Sequence, residues 1–554
     1  MNQSVIFLLE KSIEFLKNSN LENAELLLKK ALRIEPSNPE VLRFLGIVAT
    51  ERKEFSSALK FLKKSLRIYP KNFYTLNNLG NLYLDLLDYP SSLSAFNQAL
   101  QINPSFDEAW LNKGTVLHEL KNYQEAINHF EKALKLNPQY VEALCNKGNS
   151  LHALKLFEDA IEVYKHALEL SPDYSKIWFN IANSLCALNR YDESLMYYDK
   201  ALQLNPFDAH FFSNKGNALY ELCRLDEALD YYDKALLQDN NYCEAQFNKG
   251  LALLLKGDYE NGLPLYENRW KSPTVPRSPK KNSSKAPVWL GVESLEGKSI
   301  LLFGEQGLGD FIHFCRYSKL VKQLGAKVIL EVPEELVELM RNLNGVSQLI
   351  VKGQKYPSHD FKCPLMSLPL AFNTNSKNIP TDTPYLIADQ EKITSWKLKL
   401  GEQKKKRIGL VWSSASNFKD DSKRSLQLKE FIKALPLEKF EYICLQKHLN
   451  DCDKSLFNSF GHIKFFGNEL NNFADTAALI ENIDLVISTC TSIPHLSGSL
   501  GKETWLLLSK VPDWRWHLDI NRSPWYPSHR LFRQSIFYDW NNVLSQIHSE
   551  LQNF

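Results

Sequence analysis

A 34-residue period governs the first half of the chain and limits its fold more than any other feature. One row of small residues with this spacing is Ser12, Gly46, Gly80, Gly114, Gly148, Ala182, Gly216 and Gly250. Prolines recur at Pro36, Pro70, Pro104, Pro138, Pro172 and Pro206. Between these rows the apolar residues fall at helical spacing. Because small residues allow helices to touch and proline ends a helix, each unit is predicted to be a pair of antiparallel helices.

Residues between the periodic small residues and prolines keep the same period of 34. Aromatic residues with the same period are predicted to fill the space between units, and they are Phe96, Phe130, Tyr164, Tyr198 and Tyr232. The spacing and residue types resemble the tetratricopeptide repeat (TPR) over residues 1–270, as seven units and a partial eighth. Such an array is expected to form an all-α superhelical solenoid, whose concave surface binds an extended partner chain.

A row of asparagines also keeps the period. It consists of Asn78, Asn112, Asn146, Asn180, Asn214 and Asn248. Because an amide both donates and accepts hydrogen bonds, this row is predicted either to bind the backbone of an acceptor peptide or to bond local backbone within the repeats. The row resembles the asparagine ladder that lines the superhelix of protein O-GlcNAc transferases.

Composition excludes several classes of protein. The chain of 554 residues has a net charge of +2, so no overall positive field marks a nucleic-acid binder. Nine cysteines without a CxxC pair indicate reduced thiols and no zinc site. Met1–Lys17 lacks the features of a signal peptide, and no apolar run approaches the roughly 20 residues of a membrane span. We therefore expect a soluble, cytoplasmic protein.

The pattern changes after residue 270. Residues 271–297 are rich in proline and lysine and are predicted to be a linker. Beyond them, predicted strands alternate with helical stretches, at Ser299–Phe303, Lys327–Val332, Arg407–Trp412, Tyr442–Gln446, Asp484–Ile487 and Thr504–Leu508. This alternation predicts parallel, doubly wound α/β sheets in two lobes, 298–400 and 401–554, the second closed by a final helix. Ligands are expected at the carboxyl ends of the strands.

A glycine-rich turn follows the first predicted strand. It comprises Gly304, Gly307, Gly309 and Asp310, and a helix is predicted at Phe311–Leu324. The glycines allow a close backbone approach to a ligand, but their GxxGxG spacing is neither a dinucleotide fingerprint nor a P-loop. Asp310 either caps the helix or serves as a general base.

One feature keeps a second class of enzyme open. Glu331 stands at the end of the second predicted strand, where a ribose-binding acid lies in nicotinamide enzymes.

A second candidate site follows the strand at Asp484–Ile487. Ser488–Ser492 is rich in hydroxyl groups and leads into a helix that contains His495. Hydroxyls and free N–H groups at a helix start are suited to hold a phosphate, and His495 is predicted to donate to the same phosphate. The alternative for a single histidine on a helix is a structural role.

Several blocks of the second half resemble the catalytic domain of bacterial TPR-glycosyltransferases. They are Ile300–Tyr317, Trp412–Leu428, Cys444–Lys447, Phe473–Ser488, His495–Lys502 and Pro512–Gln534. These enzymes are similar to heptosyltransferases and, more distantly, to O-GlcNAc transferase. The resemblance implies a two-lobed GT-B fold and transfer of a sugar from a nucleotide-sugar to an acceptor, with a protein Ser or Thr presented by the solenoid as the expected acceptor.

The same resemblance implies roles for individual residues. Asp310 matches the catalytic base of the heptosyltransferases. The donor-binding residues are expected to be Gly307, Gly309, Arg424, Gln446, Lys447, Thr491, Ser492 and His495, with Lys423 beside Arg424 near the leaving group. Because helix ends and basic side chains stabilise the departing diphosphate, we expect no metal and no cofactor beyond the nucleotide-sugar co-substrate.

The sequence departs from that family at one position. Cys490-Thr491 stands where heptosyltransferase-like chains have Asp-Thr. The loss of this carboxylate makes a catalytically inactive TPR binding scaffold the alternative function. The aromatic segment Trp514, Trp516, Trp525, Tyr526 and Trp540 is predicted to pack between the lobes or to stack on a sugar.

Overall fold

The computed structural model describes residues 2–271, 284–413 and 421–554, except for the side chains of 421, 422 and 458–460. Residues 272–283 of the predicted linker 271–297 therefore lie outside the described residues, as does 414–420 within the block Trp412–Leu428. The chain forms two compact units, 1–211 and 212–554. The predicted division at residues 270, 297 and 400 stays a prediction.

The repeats fold as predicted into pairs of helices. They are α1 (Gln3–Lys17), α2 (Leu21–Ile34), α3 (Pro39–Glu51), α4 (Phe55–Ile68), α5 (Phe73–Asp85), α6 (Tyr89–Ile102), α7 (Asp107–Glu119), α8 (Tyr123–Leu136), α9 (Val141–Ala153), α10 (Phe157–Leu170), α11 (Ser175–Ala187), α12 (Tyr191–Leu204), α13 (Ala209–Glu221), α14 (Leu225–Gln238), α15 (Cys243–Leu255) and α16 (Tyr259–Tyr266). The second helix of a pair ends two residues before the periodic proline, as Ile34 does before Pro36. The first helix of a pair begins with a polar cap in several repeats, as where Asn38 accepts from the backbone N–H groups of Glu40 and Val41.

The periodic glycines and aromatics meet inside one repeat. A Cβ atom on Gly148 would lie 2.4 Å from the ring of Tyr164, and one on Gly80 would lie 2.5 Å from Phe96. The rings therefore occupy the space that the missing side chain leaves between the two helices of their own repeat. The predicted place of these aromatics, between neighbouring units, is corrected accordingly, and Tyr164 is almost fully buried there.

Residues after 284 form two sheets with helices around them. The elements are β1 (Ser299–Phe303), α17 (Leu308–Phe314), α18 (Ser318–Gln323), β2 (Lys327–Val332), α19 (Val337–Met340), β3 (Gln348–Val351), β4 (Phe361–Pro364), α20 (Leu368–Ala371), α21 (Gln390–Leu400), β5 (Arg407–Val411), α22 (Asp421–Arg424), α23 (Leu428–Lys433), β6 (Glu441–Cys444), α24 (Asp451–Phe460), β7 (Ile463–Phe465), α25 (Phe473–Glu481), β8 (Leu485–Thr489), α26 (Ser492–Ser499), β9 (Thr504–Leu508), β10 (His529–Arg533) and α27 (Asn541–Asn553).

Both sheets are parallel, as predicted for an α/β region. The first has the strand order β3-β2-β1-β4, and the second has the order β10-β9-β8-β5-β6-β7. Strands β5, β8 and β9 are buried along their whole length, which explains their nearly continuous apolar sequence. The strands β3, β4, β7 and β10 were absent from the sequence prediction because their apolar runs are too brief to stand out.

The strand orders fix where a ligand is expected. In the first sheet β1 lies between β2 and β4, and in the second sheet the order reverses between β5 and β8. At such reversal points the loops after neighbouring strands diverge and leave a crevice at the carboxyl ends. The glycine-rich turn follows β1, and the hydroxyl-rich turn follows β8, so both predicted motifs lie at reversal points.

The last repeat helices belong to the second unit. Leu254, Tyr259, Leu263 and Tyr266 of α15 and α16 share one apolar core with β1 residues such as Ile300. Because of this shared core, the boundary between the two compact units lies within the repeats and not at the end of the periodic sequence.

Candidate functional site

Asp310 lies in the first turn of α17, directly after the glycine-rich turn. Its Oδ2 atom accepts a hydrogen bond from the backbone N–H of Gly307 at 3.1 Å. Its Oδ1 atom accepts a charge-assisted bond from Nη2 of Arg515 at 2.6 Å. The structure thus bears out the capping role of Asp310, while its role as a catalytic base stays a prediction.

Arg515 is the site residue that the sequence analysis missed. It is buried, and its guanidinium donates through Nη1 to Asp513 at 2.6 Å as well as to Asp310. Burial alone lowers the pKa of an arginine, but the two carboxylates outweigh it and hold the pKa of Arg515 above its usual value. In the sequence, Arg515 is marked only by the Asp-x-Arg pattern that it forms with Asp513. The tryptophans on both sides of Arg515 make this pattern inconspicuous.

The start of α26 lies across the candidate site from the glycine-rich turn. Thr491 caps this helix, with Oγ1 accepting from the backbone N–H of Ile493 at 3.3 Å. A Cβ atom on Gly309 would lie 3.0 Å from Cδ2 of His495 and 3.2 Å from Cα of Ser492. These distances are shorter than most real Cβ contacts, so glycine eases this approach and the two predicted motifs meet at residues from both.

Cys490 lies at the edge of the same site. Its Sγ atom accepts a hydrogen bond from Nε1 of Trp516 at 3.3 Å. Burial raises the pKa of this thiol to about 11, with Asp513 adding to the shift and Arg424 opposing it. A thiol with this pKa is protonated near neutral pH and is a poor nucleophile.

A second buried cluster holds the glycine-rich turn from behind. Glu305 accepts from Nη2 of Arg269 at 2.7 Å, and Arg269 also pairs with Glu267 at 2.6 Å. Burial raises the pKa of the Glu305 carboxyl to about 7, against the attraction of Arg269. Arg269 follows the last repeat helix, so the end of the repeats directly supports the turn that carries Asp310.

The other predicted donor-binding residues have defined partners. Gln446 joins the ends of β5 and β6, because its Oε1 accepts from the backbone N–H groups of Trp412 at 2.8 Å and Ser413 at 3.1 Å. Lys447 donates to the backbone carbonyl of Asn471 at 3.0 Å. These contacts give Gln446 and Lys447 structural roles, and their part in donor binding stays a prediction.

The predicted basic pair lies on the short helix α22. Arg424 is near enough to Cys490 to affect the pKa of its thiol. Lys423 forms an ion pair with Glu221 of α13 at 2.9 Å. The structure thus places Arg424 near Cys490, at the edge of the site, and directs Lys423 towards a repeat helix.

The asparagine row bonds between repeats. The amide nitrogens of four of its members donate to side chains of the preceding repeat, in the pairs Asn112–Asn77, Asn146–Thr115, Asn180–Asn149 and Asn248–Asn217, at 2.8–3.2 Å. These four amides thus bond within the repeats, as one of the two alternatives predicted. Their partners are side chains of the preceding repeat and not local backbone. Asn78 and Asn214 share this position on their helices, all six residues are half-buried, and binding of an acceptor peptide stays a prediction.

Two other sequence alternatives are clarified. The carboxylate of Glu331 is buried and accepts from Oη of Tyr356 at 2.8 Å, a partner that serves the fold. The aromatic segment is almost wholly buried at Trp514, Trp516 and Trp525, which favours packing over sugar stacking.

Comparisons with known proteins identify the repeats. Family models described as tetratricopeptide repeat match residues 15–76, 73–106, 107–140, 141–174, 175–208 and 209–242. Residues 15–242 are therefore tetratricopeptide repeats. A curated relative is Protein FlbA of Caulobacter vibrioides, which is 24% identical over 344 residues. This match covers 56% of the chain and 55% of FlbA, so the chain spans about half the length of this relative.

Several solved structures are similar to part of the chain. A tetratricopeptide repeat protein from Parabacteroides merdae is 23% identical with a TM-score of 0.37, covering 46% of this chain and all of that one. PilF of Pseudomonas aeruginosa is 21% identical with a TM-score of 0.34, covering 37% and 93%. YrrB, described as a TPR protein with an unusual peptide-binding site, is 23% identical with a TM-score of 0.30, covering 34% and 98%.

Membrane-spanning helices and metal clusters are both absent from the described residues. None of their helices combines the length and apolar character needed to cross a membrane. Within the same residues, no three His, Cys, Asp or Glu side chains are grouped so as to hold a metal ion.

Proposed function

We propose that this chain is a glycosyltransferase that moves a sugar from a nucleotide-sugar to a hydroxyl group of a protein bound by the repeats. The observation that carries the proposal is the meeting of the glycine-rich turn after β1 with the start of α26 after β8. Asp310 and Arg515 lie at this meeting point, where Oδ1 of Asp310 is 2.6 Å from Nη2 of Arg515. A carboxylate, a cation and a capped helix start, together at the reversal points of two parallel sheets, suit transfer from a phosphate leaving group.

The proposed chemistry assigns a role to each of these groups. The acceptor hydroxyl loses its proton to the carboxylate of Asp310 as its oxygen bonds to the anomeric carbon. The bond between that carbon and the phosphate oxygen breaks, and the nucleoside diphosphate leaves with the electron pair. Backbone N–H groups at the start of α26, together with Arg424, offset the charge that develops on the diphosphate.

The repeats supply the proposed acceptor site. TPR arrays offer an extended surface for a partner chain. The amide nitrogens of Asn112, Asn146, Asn180 and Asn248 are engaged between repeats, while each amide oxygen in the row has two lone pairs for further bonds. We therefore assign the row the part of accepting hydrogen bonds from backbone N–H groups of the acceptor protein.

The proposal is tested by separating donor binding from transfer. The full chain is titrated with UDP-, GDP-, ADP- and CMP-linked sugars in a thermal-shift assay, in which binding stabilises the folded state. Transfer of a labelled sugar from the stabilising donor to proteins of a cell extract is then measured. Asp310→Asn should bind this donor as wild type does and lose about 100-fold or more of the transfer rate.

The matched control is Asp382→Asn, which removes a carboxylate that is 88% exposed and pairs with Lys319. It should leave binding and transfer unchanged. Full transfer by Asp310→Asn would remove Asp310 from the mechanism.

A binding scaffold is the second candidate, favoured by Cys490, whose thiol accepts a hydrogen bond where the resembling enzymes carry a carboxylate. If none of the four donor classes stabilises the wild-type chain, the scaffold replaces the transferase.

A further inference from the structure

A buried polar cluster joins α17, α26 and the segment before β10. The hydroxyl of Tyr526 lies at its centre, 2.9 Å from Nδ1 of His313 and 3.2 Å from Nδ1 of His495. The hydroxyl of Tyr385 lies 3.2 Å from the hydroxyl of Tyr526. Tyr526 has one hydroxyl proton, so it can donate in only one of these three contacts and must accept in the other two.

The proton of Tyr385 is already used elsewhere. Its hydroxyl lies 3.0 Å from the backbone carbonyl of Ile312, which can only accept. It also receives a bond from Nη2 of Arg316 at 3.0 Å. The contact between the two tyrosines consequently requires the proton of Tyr526, which donates to Tyr385. This is the assignment that provides a proton for every contact in the cluster.

Both histidines must then donate to Tyr526 through Nδ1. For His495, burial, reinforced by Arg515, His529 and Arg316, lowers the pKa well below its usual value, so the ring is neutral. A neutral imidazole carries one proton, and here that proton is on Nδ1. The Nε2 atom of His495 is left with a lone pair and is a hydrogen-bond acceptor.

The Cδ2 edge of the His495 ring lies against the glycine-rich turn of the candidate site. Its Cδ2 atom, which is bonded to Nε2, is the atom that a Cβ on Gly309 would meet at 3.0 Å. Trp516 stacks on the ring of His495 with centroids 5.2 Å apart and so holds its plane. The lone pair of Nε2 is therefore presented beside the turn that carries Asp310.

We infer that His495 accepts a hydrogen bond from a hydroxyl group of a substrate and does not donate to the phosphate of the donor. This inference rests on the proposed transferase function and revises the sequence-based expectation for His495. A lone pair repels phosphate oxygens, whereas sugars and the acceptor side chain both offer hydroxyl donors. Phosphate recognition is left to the N–H groups of α26 and to the neighbouring arginines.

The position of the proton can be measured without any ligand. Histidine-selective 15N labelling of the full chain, with the His495 signals assigned by their loss in His495→Gln, distinguishes a protonated nitrogen from a bare one. We expect Nδ1 protonated and Nε2 bare over the range in which a free imidazole titrates, about pH 5.5 to 7.5. A proton on Nε2 overturns the inference whatever the chain catalyses.

Binding measurements then identify the group that His495 contacts. Affinities of wild type and His495→Ala are compared for a nucleotide-sugar and for the matching nucleoside diphosphate, which has no sugar. If the hydroxyl is on the sugar, His495→Ala should bind the nucleotide-sugar about fivefold more weakly and the diphosphate unchanged. If it is on the acceptor, neither affinity changes and the KM for the acceptor protein rises.

Equal weakening of both ligands would show a phosphate contact and would overturn the inference. His517→Gln is the control, since it alters another buried histidine, whose Nε2 lies 2.8 Å from the hydroxyl of Tyr259. It should leave both affinities at the wild-type value. Failure of both ligands to bind wild type would reject the transferase itself, a result distinct from a proton found on Nε2.

Discussion

The two units of the molecule satisfy their polar side chains in different ways. In the repeats the same neutral bond recurs, as where the amide of Asn180 donates to Asn149 of the previous repeat. The unit 212–554 also contains buried charged groups whose arrangements each occur once, as with Arg269 and Arg515. Each periodic bond contributes little to stability but recurs along the solenoid, whereas a unique buried charge depends on the one or two carboxylates that surround it.

The largest expected effect comes from breaking a unique buried pair. Arg269→Met leaves Glu305 and Glu267 without their cation in a site where Arg269 is 1% exposed. Removal of one partner of a buried pair costs about 3–5 kcal/mol. The free energy of unfolding of the 212–554 unit, followed by tryptophan fluorescence in urea, should fall by this amount.

Arg190→Met provides the comparison in the repeats. Arg190 pairs with Glu158 and Glu193 on the surface, and the side chain of Arg190 is 42% exposed. Exposed pairs of this kind contribute about 0.5 kcal/mol. If Arg269→Met and Arg190→Met had equal costs, the proposed contrast between the buried ion pairs of the 212–554 unit and the exposed ion pairs of the repeats would be wrong.

The second prediction introduces the same steric clash, an added Cβ atom against a tyrosine ring, into both units. A Cβ atom on Gly148 would meet the ring of Tyr164 at 2.4 Å, and one on Gly498 would meet the ring of Tyr526 at 2.4 Å. Overpacking of this kind costs about 1–3 kcal/mol, partly offset by the better helix propensity of alanine. Gly148→Ala and Gly498→Ala should therefore lower the free energy of unfolding by similar amounts.

Their effects on the candidate site should differ. Tyr526 holds Nδ1 of His313 and of His495, so a displaced ring in Gly498→Ala should change the 15N signals of both histidines. Gly148→Ala should leave those signals as in wild type. Unchanged histidine signals in Gly498→Ala would contradict the central place of Tyr526 in the cluster.

The sequence predicted much of the fold because the fold repeats or has a clear local pattern. The period of 34 residues places every repeat helix, and long apolar runs locate β1, β2 and β9 at their observed bounds. The strands β3 and β7 are short, and their pairing depends on neighbours far along the chain. No local pattern reveals such strands, because tertiary contacts and not propensity stabilise them.

The candidate site was predictable in its parts and not in its contacts. Glycine-rich and hydroxyl-rich turns after strands indicate Asp310 and Thr491 from the sequence alone. Arg515 lies 205 residues from Asp310, and no spacing rule connects them. The proton on His495 depends on Tyr385 and Tyr526, whose roles follow only from their distances in the folded chain.

The smallest expected effect tests the asparagine row itself. Asn180→Ala removes the bond from Nδ2 to Asn149, while Asn149 still accepts from the hydroxyl of Tyr164 at 2.6 Å. Because only one neutral bond is lost and its acceptor stays satisfied, the free energy of unfolding of the repeats should fall by about 1 kcal/mol. Circular dichroism in urea measures this change.

The matched control lies in the same row. Among the described residues, the buried Nδ2 atom of Asn78 has no hydrogen-bond partner. Asn78→Ala therefore removes an unsatisfied donor and should leave the free energy of unfolding unchanged or slightly higher. If Asn78→Ala costs as much as Asn180→Ala, the bonds between repeats do not distinguish the members of the row. A loss of acceptor binding in both variants, with stability changed only in Asn180→Ala, would then separate the two roles of the row.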